Sequence, residues 1–160
     1  MIRVLFVCLG NICRSPAAEG IFIKMLEDAG LSDQVEVDSA GSSAHHVGEP
    51  ADERMQAHAK KRGYHLPSRA RQFDHNNDYD YFDYIVTMDE HNYSDVLDLA
   101  PNVEVKTKVI PMVDFCKTHD VTHVPDPYYG GDSGFRLVLD ILEDGCKQLL
   151  VNIQKQLQES

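Results

Sequence analysis

Val4-Leu5-Phe6-Val7 runs directly into Cys8-Leu9-Gly10-Asn11-Ile12-Cys13-Arg14-Ser15-Pro16, and this unit constrains the fold more than any other stretch of the chain. A short apolar run that ends in a glycine-containing loop reads as a strand buried on both faces. Ser15 is a favoured helix N-cap and Pro16 suits a first helical position, so a helix is expected from there to about Asp28. Ile21, Phe22, Met25 and Leu26 supply its apolar face, and Gly30 marks its exit. A doubly buried strand feeding a helix belongs in a parallel sheet covered on both sides.

The rest of the chain repeats that alternation. Val35–Asp38 predicts a second strand ending in Ser39-Ala40-Gly41, and Asp52–Arg62 a helix closed by Gly63. Tyr84–Met88 reads as a third strand, followed by a helix from about Glu90 to Ala100 that stops at Pro101. A fourth strand is expected between Val105 and Pro111. From Gly134 onward Phe135, Val138, Ile141, Leu142, Leu149, Ile153 and Leu157 recur at helical spacing. With no repeat or linker, residues 1–160 are expected to form one α/β domain: a four-stranded parallel sheet with helices on both faces. Such sheets bind ligands beyond the carboxyl ends of their strands, which is where the loop after Cys8 lies.

That loop holds a thiol at a strand end and an arginine six residues later. Leu9, Gly10, Asn11, Ile12 and Cys13 lie between them, and their N–H groups can turn inward as an anion nest. The helix N-terminus adds partial positive charge, and Arg14 a planar fork able to hold two phosphate oxygens. The same field favours the Cys8 thiolate, a nucleophile for covalent phosphoryl transfer. Asn11 tolerates left-handed backbone angles better than most residues. Further along, Asp126 stands between Pro125 and Pro127 and before Tyr128 and Tyr129. The residues alone leave it as a turn aspartate or as a general acid whose carboxyl those neighbours desolvate.

Charge and cysteine usage exclude several classes. The net charge of −11 repels nucleic-acid backbones, so any anion site has to be made positive locally. No apolar run reaches the ~18 residues a membrane span needs, and the N-terminus carries no signal-peptide pattern. A cytoplasmic location with reduced thiols is expected. Cys8, Cys13, Cys116 and Cys146 form no Cys-x-x-Cys pair, so no metal and no cofactor is expected. Cys13 is either a small buried side chain or a partner for a reversible disulfide with Cys8. Cys116 and Cys146 read as structural.

Val7 to Pro16 resembles the phosphate-binding loop of the low-molecular-weight protein tyrosine phosphatases. Val37-Asp38-Ser39-Ala40, Ala70-Arg71-Gln72, Met88-Asp89-Glu90 and Asp126-Pro127-Tyr128-Tyr129-Gly130 resemble further family segments, in order. The resemblance covers nearly the whole chain and implies a phosphotyrosine protein phosphatase I-like fold acting on phosphotyrosine in proteins. It implies Cys8 as nucleophile, Arg14 as phosphate clamp and Asp126 as general acid and then base. Ser15 would support the sulfur and Ser39 the Asn11 side chain. Asp89 and Glu19 read either as groups that orient Arg14 or the loop or as ordinary surface carboxylates. Ile12 and His45 would line the substrate pocket, with Tyr128 and Tyr129 either at its mouth or half-buried in the core. Two positions depart from the family pattern. Ser68 stands where many relatives have a histidine near Asn11, and His45 where they carry a large aromatic, which predicts altered substrate preference. Rival readings are a protein arginine phosphatase, which by resemblance prefers threonine at the Ile12 position, and an arsenate reductase, which needs a cysteine relay. A phosphate-accepting transfer protein would need no separate acid, and a non-catalytic phosphate-binding module would not need the intact set. The sequence leaves the oligomeric state open.

Overall fold

The central strand is defined by burial from both sides. In the computed structural model, which describes residues 1–159, β1 (Ile2–Cys8) directs Val4, Phe6 and Cys8 into one apolar cluster and Leu5 and Val7 into a second. Alternate strand residues face opposite sides, so a strand apolar at every position from Val4 to Cys8 needs a layer on each. α1 (Arg14–Asp28) and the long α6 (Asp132–Glu159) cover the first face, with Phe6 and Phe22 packed edge to face at 5.9 Å. The second face is covered by three short helices: α3 (Asp78–Tyr81), α4 (Glu90–Asp98) and α5 (Val103–Lys106).

β2 (Val35–Gly41), β3 (Tyr84–Thr87) and β4 (Val109–Pro111) complete a four-stranded, all-parallel sheet in the order β2-β1-β3-β4. Val7 is level with Ala40 on one side and Thr87 on the other. The chain winds from β1 outward to β2, then returns past β1 to β3. The carboxyl end of β1 is therefore the topological switch point, and Cys8 is its last residue. α2 (Glu53–Lys61) begins beside that end, capped by the Asp52 carboxylate, which accepts from the Arg54 and Met55 amides. Gly63, with φ of +88°, closes it as expected.

Several boundaries differ from the sequence expectation. α1 starts two residues early: Cys13 is its N-cap, with no side-chain hydrogen bond, and Ser15 lies inside the first turn. The Ser15 hydroxyl is engaged in the loop instead. Val105 belongs to the short α5 and only Val109–Pro111 forms the fourth strand. α4 ends at Asp98 rather than Ala100. Among the described residues, no helix is long and apolar enough to cross a membrane.

Candidate active site

The loop from Cys8 to Arg14 is shaped by where its carbonyls go. Cys8 O accepts from Ser42 N, Leu9 O from Ser43 N, Ile12 O from Asp52 N and Cys13 O from Ala17 N. In a trans peptide the carbonyl and the following N–H point opposite ways, so these outward bonds turn the amides of Leu9, Gly10, Cys13 and Arg14 inward. Asn11 N–H points at the Cys8 sulfur from 3.3 Å. Such an approach requires glycine at the end of β2: a Cβ on Gly41 would lie 2.8 Å from Leu9 O and 3.2 Å from Asn11 N.

Asn11 fixes the loop's curvature. It is the one non-glycine among the described residues with positive φ, at +57°, and is 2% exposed. Its Nδ2 donates to Ser15 Oγ (2.8 Å) and Ser39 Oγ (3.0 Å), and its Oδ1 accepts from Arg71 N (3.0 Å). Ser39 Oγ donates onward to Glu19 Oε1 at 2.6 Å, and Ser68 also hydrogen-bonds Glu19. Ser15 Oγ lies 3.0 Å from Cys8 Sγ. The expected supports, Ser15, Ser39 and Glu19, thus form one buried network, and Ser68 reaches it through Glu19. Burial pushes the Glu19 carboxyl above its ordinary range against these hydrogen bonds.

Arg14 is 2% exposed. Its Nη1 donates to Asp89 Oδ2 (2.6 Å) and Val124 O (3.0 Å), while Nη2 lies 3.7 Å from Asp126 Oδ2. Burial opposes the charge, but the Cys8 sulfur and Asp89 outweigh it and raise the guanidinium above its ordinary value. Asp89 divides its two oxygens. Oδ1 caps α4 by accepting from Asn92, and Oδ2 holds Arg14, which keeps the carboxyl below its usual range despite partial burial.

Cys8, Ile12, Arg14, His45, Asp126, Tyr128 and Tyr129 all line one cleft of about 330 Å³, together with Leu9, Gly10 and Cys13. The expected desolvation of Asp126 is not found. Its side chain is 42% exposed, and Oδ1 accepts from Tyr128 N at 3.1 Å. The flanking prolines fix the backbone without covering the carboxyl. Tyr129 is 95% exposed at the rim. Cys13 is a buried member of the loop, and burial, then Asp52, push its thiol far above the ordinary range.

The family model described as "Low molecular weight phosphotyrosine protein phosphatase" matches residues 3–159. The chain belongs to this family. A crystal structure of a protein tyrosine phosphatase from Entamoeba histolytica, with Hepes in its active site, superposes with a TM-score of 0.94 at 46% identity, covering 98% of this chain and 99% of that one. The low molecular weight protein-tyrosine-phosphatase YfkJ of Bacillus subtilis is 39% identical over 158 residues, 99% of each chain. The crystal structure of a drosophila arginine phosphatase matches at a TM-score of 0.88 and 28% identity, over 95% and 98% of the two chains. The chain is accordingly an enzyme of the low-molecular-weight phosphatase family, a phosphoric monoester hydrolase.

Within this phosphatase, some site residues were not foreseen from the sequence. Ser43 and His46 also line the cleft; His46 packs over Gly10, stands edge-on to His45 at 4.7 Å, and pairs with Glu49. Arg71 holds Asn11 through its amide while its guanidinium bridges Asp38 and Asp78. An Asn facing an amide 60 residues away leaves no local pattern to read. The His45-His46 pair in a glycine-flanked loop was the one available signal for His46.

Proposed function

We propose that this phosphatase hydrolyses phosphotyrosine in proteins through a phosphocysteine intermediate on Cys8. The observation that carries the reading is the convergence of Cys8, Arg14 and Asp126 on one cleft, with the sulfur beside Ser15 Oγ and the Asn11 amide. The inward amides and Arg14 hold the equatorial phosphoryl oxygens and stabilise their charge in the transition state. The Cys8 thiolate attacks phosphorus, the phosphorus–aryl oxygen bond breaks, and the Asp126 carboxyl gives its proton to the leaving tyrosyl oxygen. Water then attacks the phosphocysteine, Asp126 takes its proton, and inorganic phosphate leaves with the thiolate restored. Fixed protein charge does the work at each step, so the reaction is expected to proceed with a chelator present and with no cofactor.

Tyrosine is favoured over arginine by the cleft walls, since Ile12 and Tyr128 present apolar and aromatic surface to a substrate ring. An arsenate reductase relay is disfavoured because Cys146 is fully buried and neither it nor Cys116 lines the cleft. We further infer phosphoprotein partners rather than nucleic acid, given the net charge of −11, and a reducing, cytoplasmic setting for a free Cys8. The test is phosphate release from a phosphotyrosine peptide with excess chelator, comparing wild type, Cys8→Ser and Asp126→Ala. Chelator-resistant turnover lost in Cys8→Ser and strongly slowed in Asp126→Ala is the expected result. Unchanged release in Asp126→Ala overturns the acid assignment, and release from phosphoarginine but not phosphotyrosine overturns the substrate.

A further inference from the structure

The segment that carries Asp126 is anchored at two points four residues apart. At one end Val124 N donates to Met88 O (2.8 Å) and Val124 O accepts from Arg14. At the other, Tyr128 O accepts from Arg54 Nη2 at 2.7 Å. Between them stand Pro125, Asp126 and Pro127, and the two proline rings fix φ. With both ends held, the Asp126 backbone has little freedom left.

Arg54 also ties this segment to the phosphate loop. Its Nε and Nη2 donate to the two Asp52 oxygens at 3.3 and 3.1 Å, and its guanidinium lies over the rings of Tyr128 (5.5 Å) and Phe135 (4.9 Å). Asp52 N donates to Ile12 O at 2.8 Å. Hydrogen bonds and α2's first turn therefore run from Ile12 through Asp52 and Arg54 to Tyr128, whose N–H holds Asp126 Oδ1. An Arg–Asp pair with its arginine exposed would alone contribute little. The planar fork, used on a carboxylate and a backbone carbonyl at once and stacked on two rings, is a geometry that lysine does not reproduce.

We infer that Arg54 is a positioning residue that sets Asp126 over the leaving group and holds its distance from the phosphate loop. It does not touch the phosphoryl group. The inference rests on the acid assignment proposed above, and the experiment separates the two. Proton donation matters most when the leaving phenol is a poor one, so kcat/KM is compared between phenyl phosphate and an activated nitrophenyl ester. Arg54→Gln should lose roughly ten-fold on phenyl phosphate, part of the ~10²–10⁴-fold that a positioned acid supplies, and much less on the nitrophenyl ester. Arg54→Lys, which keeps the charge without the fork, should show the same bias. In an Asp126→Ala background, Arg54→Gln should add no further bias between the two esters. Equal losses on both esters, no loss on either, or an undiminished bias without Asp126 overturns the role of Arg54. If Asp126→Ala itself does not discriminate between the esters, the acid assignment fails first and this inference falls with it. Should Arg54→Gln be too unstable to assay, the Arg54→Lys comparison decides by the same criteria.

Discussion

Replacing Asn11 tests whether one side chain sets the curvature of the phosphate loop. Alanine at this position leaves Arg71 N–H without its acceptor, worth about 1–2 kcal/mol for a part-buried donor. The hydroxyls of Ser15 and Ser39 each lose the bond they accept from Asn11 Nδ2 but keep other partners, which adds about 0.5 kcal/mol apiece. Holding an alanine at φ of +57° costs about 1–2 kcal/mol more. The sum is about 3–5 kcal/mol, or a fall in Tm on the order of 10 °C for a chain of this size. Asn11→Gly separates strain from bonding. It relieves the ~1–2 kcal/mol left-handed penalty and gives back ~0.5–1 kcal/mol through its freer unfolded chain, so it should be the more stable variant by roughly 0.5–1 kcal/mol. Urea unfolding monitored by circular dichroism measures both, and both should bind inorganic phosphate more weakly than wild type. Asn11→Ala within about 1 kcal/mol of wild type, or Asn11→Gly less stable than Asn11→Ala, would refute the reasoning.

The two displaced carboxyls act in opposite directions with pH. Asp89 is held low in the folded state, so its contribution is present above about pH 4 and is lost as pH falls through the folded value; the urea-midpoint deficit of Asp89→Asn should shrink on acidification. Glu19 is held high, so its contribution is full below about pH 4.3 and is lost as pH rises through the folded value; Glu19→Gln should gain on wild type over that rise. Gly20→Ala would place a Cβ 2.8 Å from His65 O and against Leu66. Overpacking of about 1–3 kcal/mol, less about 1 kcal/mol of helix propensity, leaves a net loss of up to about 2 kcal/mol, and a raised unfolding midpoint would contradict it. Iodoacetamide at neutral pH should label Cys8 first, in a reaction slowed by phosphate, while peptide mapping finds Cys13 unmodified in the native protein. His45→Trp should change the ranking of phosphotyrosine peptides, and an identical ranking would remove His45 from the substrate wall.

The chemistry most legible in the sequence was the chemistry made by neighbours. β1, the loop and α1 follow one another within 28 residues, and strand burial, helix periodicity and the Cys8 to Arg14 spacing all have local signatures. The misreadings arise where distant groups compete for a local one. Ser15 has the composition of an N-cap, yet Cys8 and Asn11 occupy its hydroxyl, and the helix starts at Arg14 without a side-chain cap. α3 and α5 have four residues each, too few to show a period. The dependence of Asn11 on Arg71 and of Asp126 on Arg54 joins segments that meet only in the fold.

Asp126 is the most instructive of these cases. Two prolines and two tyrosines suggested a covered carboxyl, but their effect is to fix the backbone while the side chain stays open to solvent 3.7 Å from Arg14. In the proposed reaction the substrate supplies the cover: its ring, set against Tyr128, displaces water from the carboxyl. Acid function would then depend on the leaving group filling the cleft. Small phosphate esters without a ring should accordingly lose more in kcat/KM than their leaving-group chemistry alone requires, and an alkyl phosphate cleaved as well by Asp126→Ala as by wild type is the outcome expected of a carboxyl that only an aryl substrate covers.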